Sequence, residues 1–111
     1  MSNLQTVSFD IIRSLAEASI GATYAVIGGP LVHNCRLICF TNNTDGDMFI
    51  SDDGVNDKLF IPANGFKLFD LTTNKWSPSP MWVFQLGTQF YIRYNSVPTT
   101  GSFYIECLWG Q

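Results

Sequence analysis

Asp47–Leu71 reads DMFISDDGVNDKLFIPANGFKLFDL. Three short apolar runs stand in it, Met48–Ile50, Leu59–Ile61 and Phe66–Leu71, separated by Asp52-Asp53-Gly54 and Pro62-Ala63-Asn64-Gly65. Asp-Gly and Asn-Gly pairs favour positive φ and tight reversals. The runs are too short for helices, and their Phe and Ile suit a pleated surface. The stretch predicts a β-meander folded at two turns, with the rest of the chain packed on it.

Upstream, Cys35–Thr41 predicts a strand with apolar side chains on both faces: Cys35, Leu37 and Cys39 point one way, Arg36, Ile38 and Phe40 the other. That pattern implies burial from both sides or an interface on one. Asn42-Asn43-Thr44-Asp45-Gly46 reads as a turn, from which Met48–Ser51 returns. Downstream, Thr88, Phe90, Ile92 and Tyr94 alternate with polar neighbours, as do Phe103, Ile105, Cys107 and Trp109. Two such runs around the loop Asn95–Gly101 predict an antiparallel hairpin with one apolar face. Between these regions, Trp76-Ser77-Pro78-Ser79-Pro80 is a rigid loop unable to join a central ladder, and Met81–Leu86 a short apolar strand.

The N-terminal third is less decisive. In Thr6–Ile20 the spacing of Phe9, Ile12, Leu15 and Ser19 suits a helix, whereas Val7, Phe9 and Ile11 alternate and no cap precedes the run. The strand reading is taken. Thr23–Ile27 predicts a short strand or extended loop, broken at Gly28-Gly29-Pro30. Residues 1–5 form a loose lead-in. The whole predicts an all-β chain: one antiparallel β-sandwich over residues 1–111, jelly-roll-like, with seven to nine short strands; a squashed barrel is the alternative.

Apolar residues make up 46% of the 111 and charged residues 14%, against roughly 25% charged in ordinary soluble domains. A chain this long buries roughly 65% of its unfolded surface and needs no metal or disulfide to hold a core. With so little charge for its outside, it carries either an uncharged polar skin or a face covered by a partner. A net charge of −3 argues against binding nucleic acid, which needs clustered Lys and Arg. No apolar run approaches the roughly 20 residues that cross a bilayer, and no basic region with a long apolar stretch marks a signal peptide. Three cysteines, Cys35, Cys39 and Cys107, without CxxC spacing, fit folding in a reduced cytoplasm.

Candidate chemistry is sparse. Asp45, Asp47, Asp52, Asp53 and Asp57 cluster as calcium ligands would, but Asp45-Gly46-Asp47 fails the EF-hand pattern, and Asp is an ordinary turn former. His33 is the single histidine, placed in a loop, with no triad or zinc spacing to join. Glu17 and Glu106 would have to meet to act as a glycosidase pair, and nothing in the sequence brings them together. Gly28-Gly29-Pro30 is not a phosphate loop, and the sequon Asn42-Asn43-Thr44 lacks a secretory context. No catalytic, metal or cofactor site is expected. The aromatic residues Trp76, Trp82, Tyr91, Tyr94 and Tyr104 are the candidate interface residues, either packing a neighbouring subunit or stacking on sugar rings. Trp76, in its Pro-rich loop, is the leading exposed anchor or else folds back over the sandwich edge.

Several segments taken together resemble a known group. They are Asn42-Asn43-Thr44-Asp45, Ile50-Ser51-Asp52-Asp53-Gly54-Val55-Asn56-Asp57, Ile61-Pro62-Ala63-Asn64-Gly65-Phe66 and Asp70-Leu71-Thr72-Thr73-Asn74-Lys75. The close is Leu86-Gly87-Thr88-Gln89 with Tyr91, and Pro98-Thr99-Thr100-Gly101-Ser102-Phe103-Tyr104. In this order they resemble the small all-β virion structural proteins of tailed bacteriophages, over about residues 13 to 110. Ser51-Asp52-Asp53-Gly54 departs from the Ser-aromatic-Asp-Gly form of that group at position 52. The resemblance implies a non-enzymatic virion protein made in the host cytoplasm, a capsid decoration protein or head–tail collar accessory. Its implied partners are other virion proteins and copies of itself. The alternative is a glycan-binding or adaptor module of a phage tail fibre.

Overall fold

Period-two hydrophobic runs cut by Gly, Asn and Asp turns build two stacked antiparallel sheets. The computed structural model describes residues 7–71 and 83–110. Its strands are β1 (Val7–Phe9), β2 (Arg13–Ala16), β3 (Ala25–Val26), β4 (Cys35–Thr44), β5 (Met48–Ser51), β6 (Leu59–Ile61), β7 (Phe66–Asp70), β8 (Tyr91–Tyr94) and β9 (Gly101–Gly110). The first sheet runs β1–β9–β4–β7, with β2 also on β9; the second runs β3–β8–β5–β6. Apart from β1 and β2 on one edge and the β5–β6 hairpin, successive strands change sheets. This is the jelly-roll order of an all-β sandwich.

β4 and β9 are the spine, paired from Cys35↔Trp109 to Thr44↔Gly101 with a bulge between Cys35 and Leu37. Alternation sends Ile38, Phe40, Phe103, Ile105 and Cys107 inward, where they meet Met48, Ile50, Ile61 and Ile92 of the second sheet. Each fully buried Ile or Phe of this set contributes about 1.5–3 kcal/mol relative to exposure. A buried amide also ties the layers. Asn42 Nδ2 donates to the carbonyls of Gly46, Ile61 and Pro62, while Asn42 Oδ1 accepts from the Thr44 N–H and hydroxyl. The sequon amide is thus enclosed, with no room for a glycan.

The opening stretch is half a meander. β5 and β6 do pair, Ile50↔Leu59 to Met48↔Ile61, around a turn with Gly54 at φ 75°. At the second turn, Asn64 (φ 56°) carries the chain from β6 in one sheet to β7 in the other, so β6 and β7 do not pair. The expected turn at Asn42–Gly46 is narrower than read: β4 continues through Thr44, paired with Gly101 of β9, and the chain bends only at residues 45–46 before β5. The predicted 88–94/102–109 hairpin is corrected as well. β8 pairs with β3 and β5, and β9 with β1, β2 and β4, so the loop between them arches from sheet to sheet. Alternation fixes which face of a strand is apolar, not which strand lies beside it.

The ambiguous N-terminal run is strand at β1 and β2, interrupted at residues 10–12 and followed by a 3-10 turn at Glu17–Ser19. Of Met81–Leu86, the described part makes one isolated bridge, Phe84 to Cys35. The expected lead-in at residues 1–5, the expected Trp76–Pro80 loop, and Met81 and Trp82 of the expected Met81–Leu86 strand lie outside the described residues.

Candidate functional site

The interruption between β1 and β2 is held by a buried charge pair. Asp10 keeps its ladder bond, its N–H donating to the Cys107 carbonyl at 3.0 Å, and turns a fully buried carboxylate inward. That carboxylate accepts the Ile11 N–H at 2.7 Å and the Val32 N–H at 3.3 Å. Arg13 Nη2 lies 3.6 Å from it and His33 Nδ1 3.7 Å. Arg13 spends its other donors on the carbonyls of Gly29, Ile11 and Pro30 at 2.6–2.8 Å. Burial pushes the Asp10 carboxyl up, but the Ile11 N–H, Arg13, the Val32 N–H and His33 together hold it below the usual value. His33 in turn stacks on Trp109, 3.8 Å between ring centroids and 5° from parallel. Cys35 and Cys107 border the cluster as free, buried thiols, both pushed up by burial, Cys107 to about 12. Thiols held protonated in this way are poor nucleophiles. The arrangement clamps the first sheet's edge to the Gly28-Gly29-Pro30 loop.

Sequence reasoning missed Asp10 and Arg13. Both stand in a run read for its hydrophobic spacing, and their three-residue separation carries no known motif. His33 is in a loop, as read, where its ring stacks on Trp109 and its Nδ1 lies 3.7 Å from the Asp10 carboxylate.

The acidic cluster is dispersed over separate turns. Asp45 accepts the hydroxyl and N–H of Thr99 and the N–H of Thr100, which hold its carboxyl at about 2. Asp47 accepts the Ala63 N–H at 2.9 Å. Asp53 accepts the Ser51 hydroxyl and the N–H groups of Val55 and Asn56, and is depressed well below the normal range. Asp57 pairs with Arg93 at 2.7 Å, and Asp52 with Lys58 at 3.0 Å. Among the described residues, no three His, Cys, Asp or Glu side chains converge as metal ligands. Glu17 follows Ala16, which opposes Ser102; Glu106 stands four residues along β9, roughly 13 Å at the strand rise.

The candidate tyrosines Tyr91, Tyr94 and Tyr104 do not share a surface. Tyr94 packs against the core. Tyr91, opposite Ser51 and Val26, lies on the outside of the second sheet beneath the Gly54 turn, where a Cβ on Gly54 would fall 3.2 Å from its ring. Tyr104, between Ser14 and Thr41, is on the outside of the first sheet.

The two outer faces differ in character. On the second sheet Arg93 lies over the Phe49 ring at 4.6 Å and over Tyr24 at 5.7 Å while paired to Asp57. Its face is capped by its own charge. On the first sheet the outward rows are Phe9–Leu108–Leu37–Asp70, Glu106–Cys39–Leu68 and Ser14–Tyr104–Thr41–Phe66. Phe66 is 67% exposed and Leu68 53%.

A cleft of about 260 Å³ opens between β6 and β7, lined by Phe40, Phe69, Phe84, Phe90, Ile50 and Leu59, with Ser51, Asp52 and Lys58 at its polar side.

No family model and no curated protein matches the chain. Among solved structures, it is similar to a chain from work described as "Bacillus endospore appendages form a novel family of disulfide-linked pili", with 11% identity over 96% of this chain and 90% of that chain, at a TM-score of 0.40.

Proposed function

We propose that the protein is a structural subunit of a tailed-phage particle, a capsid decoration or head–tail collar component that works through contacts between subunits. The observation that carries this reading is the apolar outer face of the first sheet, where Phe9, Phe66 and Leu68 stand in water beside Leu37, Leu108 and Tyr104. An isolated soluble domain rarely leaves several large apolar side chains side by side on one flat sheet face, and such faces mark contact surfaces. The turn-and-strand segments quoted above supply the particle setting, by their resemblance to small virion proteins. Low charge and repeated weak contacts suit a component present in many copies, where multivalency multiplies each one. Of the candidate tyrosines, Tyr94 packs against the core while Tyr91 and Tyr104 lie outside different sheets, so the glycan-binding alternative draws no support from them.

The test is quantitative mass spectrometry of washed, purified particles. The reading requires the chain in many copies or in a symmetric ring; its absence from such particles overturns it.

A further inference from the structure

We propose that Phe9 of one copy seats in the phenylalanine-lined cleft of the next, joining copies head to tail. The inference rests on the subunit reading above and names the partner as a second copy of the same chain.

The knob is on the flank formed by β1, β2 and the loop after β3. Phe9 is 80% exposed and Ile11 71%, with Ile12 and Val32 also in water beside them. The segment is not slack. The Asp10 N–H holds the Cys107 carbonyl, the Asp10 carboxylate holds the N–H groups of Ile11 and Val32, and Arg13 holds the Ile11 carbonyl. A buried ion pair thus fixes a stretch of backbone whose neighbouring side chains are apolar and in water. Such preorganisation lowers the ordering cost of binding.

The hole is on the opposite flank, between β6 and β7. Its 260 Å³ exceeds the roughly 150 Å³ apolar cavity that accepts a benzene ring. Its phenylalanines already meet edge to face, Phe40 with Phe69 at 6.0 Å and with Phe90 at 5.5 Å, so a further ring finds partners of the preferred geometry. At the mouth, Lys58 and Asp52 neutralise each other at 3.0 Å, so an uncharged entrant leaves neither unpaired. Phe66, the other strongly exposed phenylalanine, stands on β7, the strand that borders the hole, whereas Phe9 stands on β1 at the far edge of the same sheet. Knob and hole on opposite flanks cannot meet within one chain. They form a heterologous contact, which propagates as a ring or a filament.

The experiment uses the full chain. Sedimentation velocity over a concentration series compares the native protein with Phe9→Glu, a change at an exposed position that leaves the core intact. The native chain should associate, and Phe9→Glu should weaken that association at least about tenfold, the scale of one buried aromatic side chain. A benzophenone side chain at position 9, in a mixture of isotopically light and heavy chains, should cross-link to the peptides holding Leu59, Phe69 or Phe84 of another copy. A native chain that stays monomeric at its solubility limit overturns the inference, as does unchanged association in Phe9→Glu or cross-links mapping to the outer face of the first sheet. Particle proteomics separates this from the functional reading. A Phe9→Glu chain found on particles at native abundance defeats the knob and keeps the virion role. A chain missing from particles whose self-association still needs Phe9 does the reverse.

Discussion

Gly28 presses its bare α-carbon against the side chain of Arg13: a Cβ at position 28 would fall 2.5 Å from Arg13 Cγ and 2.8 Å from its Cβ. The contact explains why the loop after β3 carries a glycine there. The φ of +67° already favours glycine, and the arginine that bonds Gly29 and Pro30 needs the space.

The neighbouring glycine supplies a control. Gly28→Ala should destabilise by about 2–3 kcal/mol, from left-handed backbone strain and a displaced Arg13. Gly29→Ala, with no atom within 4 Å of its added Cβ, should stay within about 0.5 kcal/mol of the native protein. Urea midpoints at a common m-value decide between them. Equal effects would mean that the Arg13 contact does not govern the loop.

Asp10 ties that same arginine to pH. Burial raises its carboxyl, but the Ile11 N–H, Arg13, the Val32 N–H and His33 prevail, so the folded value lies below the unfolded one of about 3.9. Between those values the unfolded chain binds more protons, and stability falls as pH falls. The contribution is complete above the unfolded value and is lost as pH drops through the folded one. Asp10→Asn should therefore cost about 3 kcal/mol at pH 7, leaving Arg13 buried without its countercharge. The gap should narrow as pH falls through the folded value, where native Asp10 itself takes up a proton. Chemical denaturation of both chains across pH 2–7 measures it, and a constant gap would contradict the assignment.

Asn42 is the corresponding tie within the core. Asn42→Ala removes the donor to three carbonyls and the acceptor for Thr44, and should cost about 3 kcal/mol. Hydrogen exchange should show the loss first at the β6–β7 turn, whose Pro62 carbonyl the amide holds. Asn43→Ala, exposed on the same strand, should be near neutral.

Much of the fold was legible because the face of a strand is a local property. The runs read at Met48–Ser51, Leu59–Ile61, Phe66–Leu71 and residues 102–109 follow from alternation and turn chemistry, and β5, β6, β7 and β9 stand on them within a residue at either end. Partner choice was not legible. The sequence between Ile61 and Phe66, Pro-Ala-Asn-Gly, serves a hairpin or an arch equally well; what decides is Asn42, twenty residues away, reaching the Ile61 and Pro62 carbonyls. The same holds for β8 and β9, where Asp45 captures Thr99 and Thr100 and draws the loop across the sandwich end. At the candidate surfaces, aromatic content pointed to Tyr91, Tyr94 and Tyr104, which three-dimensional register scatters. Exposed apolar residues instead include Phe9, Ile11, Phe66 and Leu68, whose spacing reads as core. An apolar side chain reports that it seeks cover, not whether its own chain supplies it.

Tyr24 offers a spectroscopic readout of the capped second sheet. Its phenol donates to Asp57, which also holds Arg93. Burial first, then the bond to Asp57 and its charge, push the phenol up to about 12, against a smaller opposing effect of Arg93. In the difference titration between the native chain and Tyr24→Phe, the tyrosinate absorbance should rise near pH 12. Asp57→Asn should draw that rise back toward the ordinary value near 10. Because the folded value is raised, the stability linked to this phenol is complete below the unfolded value and is lost as pH climbs through the folded one. Native and Tyr24→Phe chains should therefore converge in stability above pH 12. If Asp57→Asn leaves the titration where it was, burial alone sets it, and the Tyr24–Asp57–Arg93 cap is not an electrostatic unit.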